Sequence, residues 1–142
     1  MGKFSDIITT ISGKANELGK FYYKSIFEFA NVTQENDGSE VLIFLNPDGL
    51  PGNYEIPSRV LTSFDIDLWF IKQHNLEGSD LDISVVQDQC LTVATQFLYE
   101  LSQTPDSYFP LENSSFRMVK YTTPNAFAGV RLIFKIKTAC NL

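Results

Sequence analysis

Apolar and polar positions alternate along the chain in a pattern that predicts two helices and five strands. Helical spacing of apolar residues predicts helices over 5–18 and 79–103. Period-two alternation or a short apolar run predicts the strands, which cover 21–32, 40–45, 61–72, 115–122 and 126–138. The order α-β-β-β-α-β-β predicts one α+β domain over 1–142, with a mostly antiparallel sheet and both helices on one face.

Alternation within the two longest strands predicts which side chains face the core. The apolar residues that share the inward face are Phe64, Ile66, Leu68, Phe70, Val130, Leu132, Phe134 and Ile136. The residues that alternate with them include Asp65, Asp67, Arg131, Lys135 and Lys137. Since successive strand side chains point to opposite faces, we expect these charges on the outer face of the sheet.

The segment between the first and third strands contains two different turn signals. Residues 34–39 are polar and include an Asp-Gly step, which predicts an antiparallel hairpin between the first two strands. Residues 46–60 hold three prolines and two glycines, which predicts a long, protruding, irregular loop. Its apolar residues Leu50, Tyr54 and Ile56 are predicted to contact a neighbouring chain.

The second predicted helix has an unusual outer face. Its buried stripe includes Cys90 and Phe97, whereas the opposite side carries amides, hydroxyls and a tyrosine with few charges. Gln96 and Tyr99 are the residues on this side that we expect at a protein contact. A face that is simply solvated is the alternative.

Charge is distributed unevenly along a chain whose net charge is −6. Residues 65–112 contain nine acids and one base, and residues 113–142 contain five bases and no acid. One interpretation is that acidic and basic strands pair on one sheet face. The other is head-to-tail contact between protomers through Arg131, Lys135 and Lys137. Neither predicts sequence-specific nucleic-acid binding, which needs a dominant basic surface.

Candidate chemistry in the sequence is sparse. The single histidine, His74, lies in a polar turn without a cluster of ligand residues, so no metal site is predicted. No phosphate-binding loop or nucleophile elbow occurs, and no cofactor is expected. Asp65 and Asp67 share a strand face, but a solvated or lysine-paired face explains them better than a pair of catalytic acids. No apolar run approaches the ~20 residues of a membrane-spanning helix.

The layout of the second half resembles a known family. The apolar strand at 64–70, the long helix, the strand ending at 121–124, the Ala128-Gly129 step and the final strand are similar to the tail terminator, or tail-completion, proteins of bacteriophages. The likeness is greatest to versions from phages of Bacteroidetes-type hosts, in which a cysteine often follows the last strand, as Cys140 does here. It covers about 120 residues in order and hydrophobic pattern.

This resemblance implies a structural role in a virion. It implies a homo-oligomeric ring of six or twelve copies at the neck or head-tail junction, in contact with portal, neck or tail proteins and assembled in the cytoplasm of the bacterial host. It implies no catalytic residues. From the residues alone we expect a protein that is not an enzyme and that works by assembly. A small ferredoxin-like ligand-binding or regulatory domain is the alternative function.

Overall fold

Two helices and six strands make up the described part of the chain. The computed structural model describes residues 4–25, 40–47, 52–55, 61–73, 80–103, 111–121 and 127–139. In chain order the elements are α1 (Phe4–Leu18), β1 (Lys20–Tyr22), β2 (Leu42–Leu45), β3 (Gly52–Glu55), β4 (Leu61–Gln73), α2 (Asp80–Ser102), β5 (Leu111–Tyr121) and β6 (Phe127–Ala139).

The strands form one mostly antiparallel sheet. Its main path has five strands in the spatial order β1-β2-β4-β6-β5, and β3 pairs with β4 beside this path. The long strands β4 and β6 run antiparallel through thirteen residue pairs, from Leu61 opposite Ala139 to Gln73 opposite Phe127. The predicted α+β class, with two helices and a mostly antiparallel sheet, is confirmed.

Both helices pack against the same face of the sheet, which we call the inner face. From α1, Ile7, Ile11 and Ala15 are buried in the core that α2 also enters. The ring of Phe97 on α2 lies between two strands, with centroids 5.5 Å from Phe70 and 6.4 Å from Phe134. The inward residues predicted for β4 and β6 are therefore confirmed as the wall on which the helices rest.

A smaller apolar cluster occupies the opposite, outer face and extends across the sheet from β2 to β5. It contains Leu42, Phe44 and Ile71, with Val119 and Phe127 from the last two strands. Tyr22 stacks on Phe44 with a centroid separation of 5.4 Å. β2 is consequently buried on both faces, which explains why its sequence is a continuous apolar run.

The predicted hairpin between the first two strands is wrong. β1 pairs with β2 in parallel, with Lys20 opposite Leu42, and a parallel pair cannot be joined by a tight hairpin. The first strand also ends at Tyr22, and the next three residues are not in a strand. The polar turn predicted at 34–39 lies outside the described residues.

The loop predicted over 46–60 contains a strand, so the prediction of an irregular segment is also wrong in part. β3 pairs antiparallel with the first residues of β4, from Gly52 opposite Phe64 to Glu55 opposite Leu61. The prolines of this segment flank these four residues and do not interrupt them, so their backbone groups are able to join the ladder. β5 likewise begins at Leu111, earlier than predicted, with an irregularity between Glu112 and Ser115.

Glycines allow close backbone approach at two places in this fold. At Gly19, where α1 ends as predicted, a Cβ would collide with the carbonyl oxygen of Val41. At Gly129, in β6, a Cβ would collide with the carbonyl oxygen of Phe70 and lie 2.9 Å from the Cα of Ile71. The tight contact of β6 with β4 therefore requires glycine at position 129.

Replacing Gly129→Ala should lower the free energy of unfolding by about 1–3 kcal/mol, because the added methyl group forces β4 and β6 apart. Gly13→Ala is the matched control, since a Cβ there meets no atom within 4 Å and the position is an exposed helix interior. That control should raise stability by about 0.5–1 kcal/mol. Urea denaturation measures both, and equal effects of the two substitutions would contradict the close approach.

Candidate functional site

Ion pairs cross the outer face of the sheet between β4 and β6. The Arg131 guanidinium donates from Nε to both carboxylate oxygens of Asp67, at 2.9 and 3.1 Å, and from Nη2 to Oδ2 at 2.6 Å. The guanidinium carbon also lies 5.2 Å from the centroid of the Trp69 ring. A bidentate, partly buried pair with an aromatic support holds Arg131 in a fixed position.

A second, looser pair lies further along the same strands. Lys135 Nζ is 4.0 Å from Asp65 Oδ1, at the limit of an ion pair. These two pairs confirm the interpretation that acidic and basic strands meet on one sheet face. They also engage Arg131 and Lys135 within the protein. Lys137 belongs to β6 and pairs with Ser63 of β4. Its side chain lies outside the described part.

The residues predicted from the loop at 46–60 are only partly placed. Leu50 and Ile56 lie outside the described residues. Tyr54 belongs to β3 and is opposite Thr62 of β4, so its backbone takes part in the sheet. The structure therefore places Tyr54 beside the first half of β4, whereas Gln96 and Tyr99 lie on α2 and the predicted basic residues lie on β6.

The polar face of α2 divides into an internally bonded part and an exposed part. Gln87 Nε2 donates to the carbonyl oxygen of Val119 at 3.1 Å and so connects the helix to β5, which ends the spatial order of the sheet. Gln96 Nε2 donates to Oε1 of Glu100 at 3.1 Å along the helix. Gln96 is nevertheless exposed, and Tyr99 is 61% exposed.

Two apolar residues of β5 that the sequence analysis did not select are also exposed. Phe116 is 58% exposed and Met118 is 41% exposed. Both are paired with buried core residues of β6, Phe116 with Leu132 and Met118 with Val130, so they lie on the inner face. The alternation of Phe116 and Met118 with the polar residues Ser115 and Arg117 is the sequence signal that could have identified them.

Tyr99, Phe116 and Met118 together form what we call the edge surface. They lie on α2 and β5 at one side of the molecule, because β5 ends the spatial order of the sheet. α2 packs mainly on β6 and β4 and touches β5 only slightly, which leaves the inner face of β5 uncovered. An apolar surface at the side of a sheet is typical of a contact with another chain.

A shallow depression of about 360 Å³ adjoins this surface. Thr95, Leu98, Tyr99 and Ser102 of α2 line one side, and Ser114 of β5 lines the other. Its lining is mostly apolar, and the described residues that line it include no carboxylate, histidine or cysteine. The depression fits an apolar side chain better than a reacting substrate.

Cys90 is a core residue. Cys90 belongs to α2, and its side chain is fully buried between this helix and the sheet. Its Sγ lies 3.8 Å from the carbonyl oxygen of Ala128 on β6. Burial raises the pKa of the Cys90 thiol from 9.0 to about 12, and the positive charge of Lys72 lowers that pKa to a smaller degree. A thiol that holds its proton so tightly is a poor nucleophile at neutral pH.

Within the ranges that the structure describes, no three His, Cys, Asp or Glu side chains gather closely enough to hold a metal ion. Asp65 and Asp67 face basic partners, and His74 lies outside the described residues. In the same ranges, neither helix has the length and apolar character needed to cross a membrane.

Comparison with known proteins adds no family: no protein-family model matches the chain, and no curated protein matches it.

The two ion pairs should differ in strength. A double-mutant cycle with Asp67→Asn and Arg131→Gln should give a coupling free energy of about 1 kcal/mol, because the pair is bidentate and partly buried. The cycle with Asp65→Asn and Lys135→Gln should give about 0.3 kcal/mol, because that contact is long. Chemical denaturation measures both cycles, and a stronger coupling in the second would contradict the geometry.

Cys90 should resist alkylation while the protein is folded. Because its pKa is raised to about 12, its thiolate fraction at pH 8 is on the order of 1000-fold below that of an ordinary thiol. Iodoacetamide labelling followed by mass spectrometry should therefore modify Cys90 only after unfolding. A Cys140→Ser background removes the other thiol, and rapid labelling of the folded variant would contradict the burial.

The raised pKa of Cys90 predicts that the protein loses stability at alkaline pH. The folded state retains the Cys90 proton where the unfolded state has lost it, so the stabilisation is complete below pH 9.0. It is lost progressively as the pH rises from there toward about 12. Replacing Cys90→Ala should remove this part of the alkaline decline.

Proposed function

We propose that this protein is a structural subunit that works by associating with copies of itself and with neighbouring proteins. The observation that carries the proposal is the edge surface. Tyr99, Phe116 and Met118 expose large apolar side chains beside the terminal strand of the sheet, and they continue the apolar inner face onto the surface. Burial of such side chains against another chain is the main driving force of protein association.

The charged residues help to decide which surface makes the contact between chains. Arg131 and Lys135 are paired with Asp67 and Asp65 on the outer face, so these four groups act first within the protein. Reversing their charge would disturb the sheet together with any intermolecular contact. Of the exposed basic residues of β5, Lys120 shares the inner face with the edge surface, whereas Arg117 lies on the outer face, opposite Arg131. We therefore assign the contact between chains to α2 and β5.

The resemblance to bacteriophage tail terminator proteins gives the proposal its biological setting. In that setting the chain forms a ring of six or twelve copies at the neck of a virion and contacts portal, neck or tail proteins. In the described part of the chain, one sheet carries both helices on its inner face, and β5, which contributes to the edge surface, ends the sheet on one side. The packing of Phe97 between Phe70 and Phe134 fills the space beneath α2, which gives the alternative ligand-binding function no support there.

Self-association should be visible as a defined mass in solution. Size-exclusion chromatography with multi-angle light scattering of the full chain should give an integral multiple of the 16.1 kDa protomer. Negative-stain electron microscopy of the same fraction should show closed rings if six or twelve copies assemble.

A dilution series is the control for non-specific aggregation. A specific assembly keeps one stoichiometry until it dissociates, whereas aggregates give a continuous range of masses. A single 16.1 kDa species at every concentration, with or without the other proteins of a particle, would contradict the proposed function.

A further inference from the structure

We propose that β5 of one copy of this chain pairs antiparallel with β3 of the next copy, with Arg117 opposite Glu55. This inference rests on the proposed function and specifies the partner, a second copy, and the two surfaces that meet. Because the two surfaces differ, the same contact repeats from copy to copy and is compatible with a ring. Three features of the described residues support it.

The first feature is that the sheet ends in a strand at two different places. β5 ends one side of the sheet, and among the described strands it pairs with β6 alone. On the other side, β1 pairs with β2, whereas β3 pairs with β4 alone among the same strands. A terminal strand is a template for pairing with another strand. The register of β5 is regular from Ser115 to Tyr121, and the proposed pairing uses Arg117 to Lys120 within that segment.

The second feature is the direction of the two strands. β3 is antiparallel to β4, β4 is antiparallel to β6, and β6 is antiparallel to β5, so β3 and β5 run in opposite directions. A second copy placed beside the first in the same orientation therefore brings its β3 antiparallel to β5. The helices of both copies then lie on the same face of the continued sheet. Rotation of one copy onto the next, without a flip, generates this arrangement, which is the symmetry of a ring.

The third feature is charge complementarity. Arg117 is exposed and lies opposite Arg131 on β6, and like charges in that position are unfavourable. Arg131 is paired with Asp67, and within the described ranges no carboxylate lies at ion-pair distance from Arg117. Glu55 is opposite Leu61 of β4, and this register places it on the outer face, as it does Arg117. The proposed pairing thus supplies a carboxylate to Arg117.

The same register also fits the edge surface. When Arg117 is opposite Glu55, Met118 is opposite Tyr54, and both positions belong to the inner face of their strands. Met118 is 41% exposed, so an aromatic residue opposite it covers apolar surface. Tyr54 is also a residue that the sequence analysis predicted at a contact. A shift of two residues in either direction keeps the faces but takes Glu55 away from Arg117, so the charges select this register.

The contact offsets each copy along the strands of its neighbour. Within one copy, Glu55 is level with Leu61 of β4, and Arg117 is level with Trp69 through its pairing with Arg131. The offset is the length of β4 between Leu61 and Trp69, which is ~26 Å at ~3.3 Å per residue. Strands in a closed sheet are inclined to its axis, and an inclination of this kind produces an offset between neighbouring copies.

An exchange of charges tests the contact. Arg117→Glu and Glu55→Arg should each raise the dissociation constant about tenfold or more, because each places like charges opposite one another. An equimolar mixture of the two variants should associate like the wild-type protein, since every copy then finds an opposite charge on its neighbour. Sedimentation velocity measures association, and circular dichroism checks that each variant is folded.

The matched control is the combination of Lys14→Glu with Glu17→Arg. It makes the same two charge changes within α1, where Lys14 Nζ and Glu17 Oε2 form a loose pair at 3.9 Å. Neither residue belongs to a terminal strand of the sheet. The dissociation constant of this variant should change less than about twofold.

A cross-linking experiment tests whether two different surfaces meet. Glu55→Cys combined with Arg117→Cys in a Cys140→Ser background should form a ladder of disulfide-linked multimers on mild oxidation, because residues paired across strands lie close enough for a disulfide. Each of the two cysteines alone should leave the chain monomeric in denaturing electrophoresis. Cys90 is buried and does not compete.

The outcomes separate this inference from the proposed function. Weaker association of R117E and of E55R, recovery in their mixture and a ladder of linked multimers support the contact. An assembly that persists unchanged in R117E, without linked multimers of the double-cysteine variant, overturns the contact and leaves the proposed function standing. A linked dimer of R117C alone also overturns it, because it shows a two-fold contact. A wild-type protein that is monomeric at every concentration overturns both the contact and the proposed function.

Discussion

The antiparallel pairing of β4 with β6 is the constraint on which the other features of this protein depend. Thirteen consecutive residue pairs fix the two strands side by side, and that register decides the position of every side chain on them. On one face it aligns the apolar residues that receive α1 and α2. On the other it brings Asp67 beside Arg131. A shift of one residue would exchange the two faces, removing the core and the ion pairs together.

The position of α2 over this strand pair explains why the apolar residues of β5 are exposed. Phe97 enters between Phe70 and Phe134, so the helix axis is held above β4 and β6. β5 lies beyond the reach of most side chains of the helix, and the bond from Gln87 to Val119 spans the remaining distance. The apolar residues Phe116 and Met118 consequently have core residues beside them but no helix above them. The same packing that stabilises the core thus creates a surface suited to another chain.

Elements with strong, long patterns could be predicted from the sequence, and those with weak or short patterns could not. β4, β6 and α2 have apolar periodicity over many residues, and their extents and buried faces agree with the prediction. β3 is four residues long and surrounded by prolines, so it exists because β4 offers a partner rather than because its own sequence favours a strand. The parallel pairing of β1 with β2 depends on a long-range contact that a local Asp-Gly signal does not report.

The sequence by itself determined the class of the fold, the inward faces of its long strands and the opposite charges of β4 and β6. The apolar periodicity of a segment and its charge can both be read from the order of the residues, without knowledge of which segments meet in the fold. Only the tertiary structure decided which charges pair and which apolar residues remain exposed. Arg131 meets Asp67 because of the register between distant strands. Phe116 stays on the surface because β5 is last in the sheet, since burial depends on what packs above a residue and not on the residue alone.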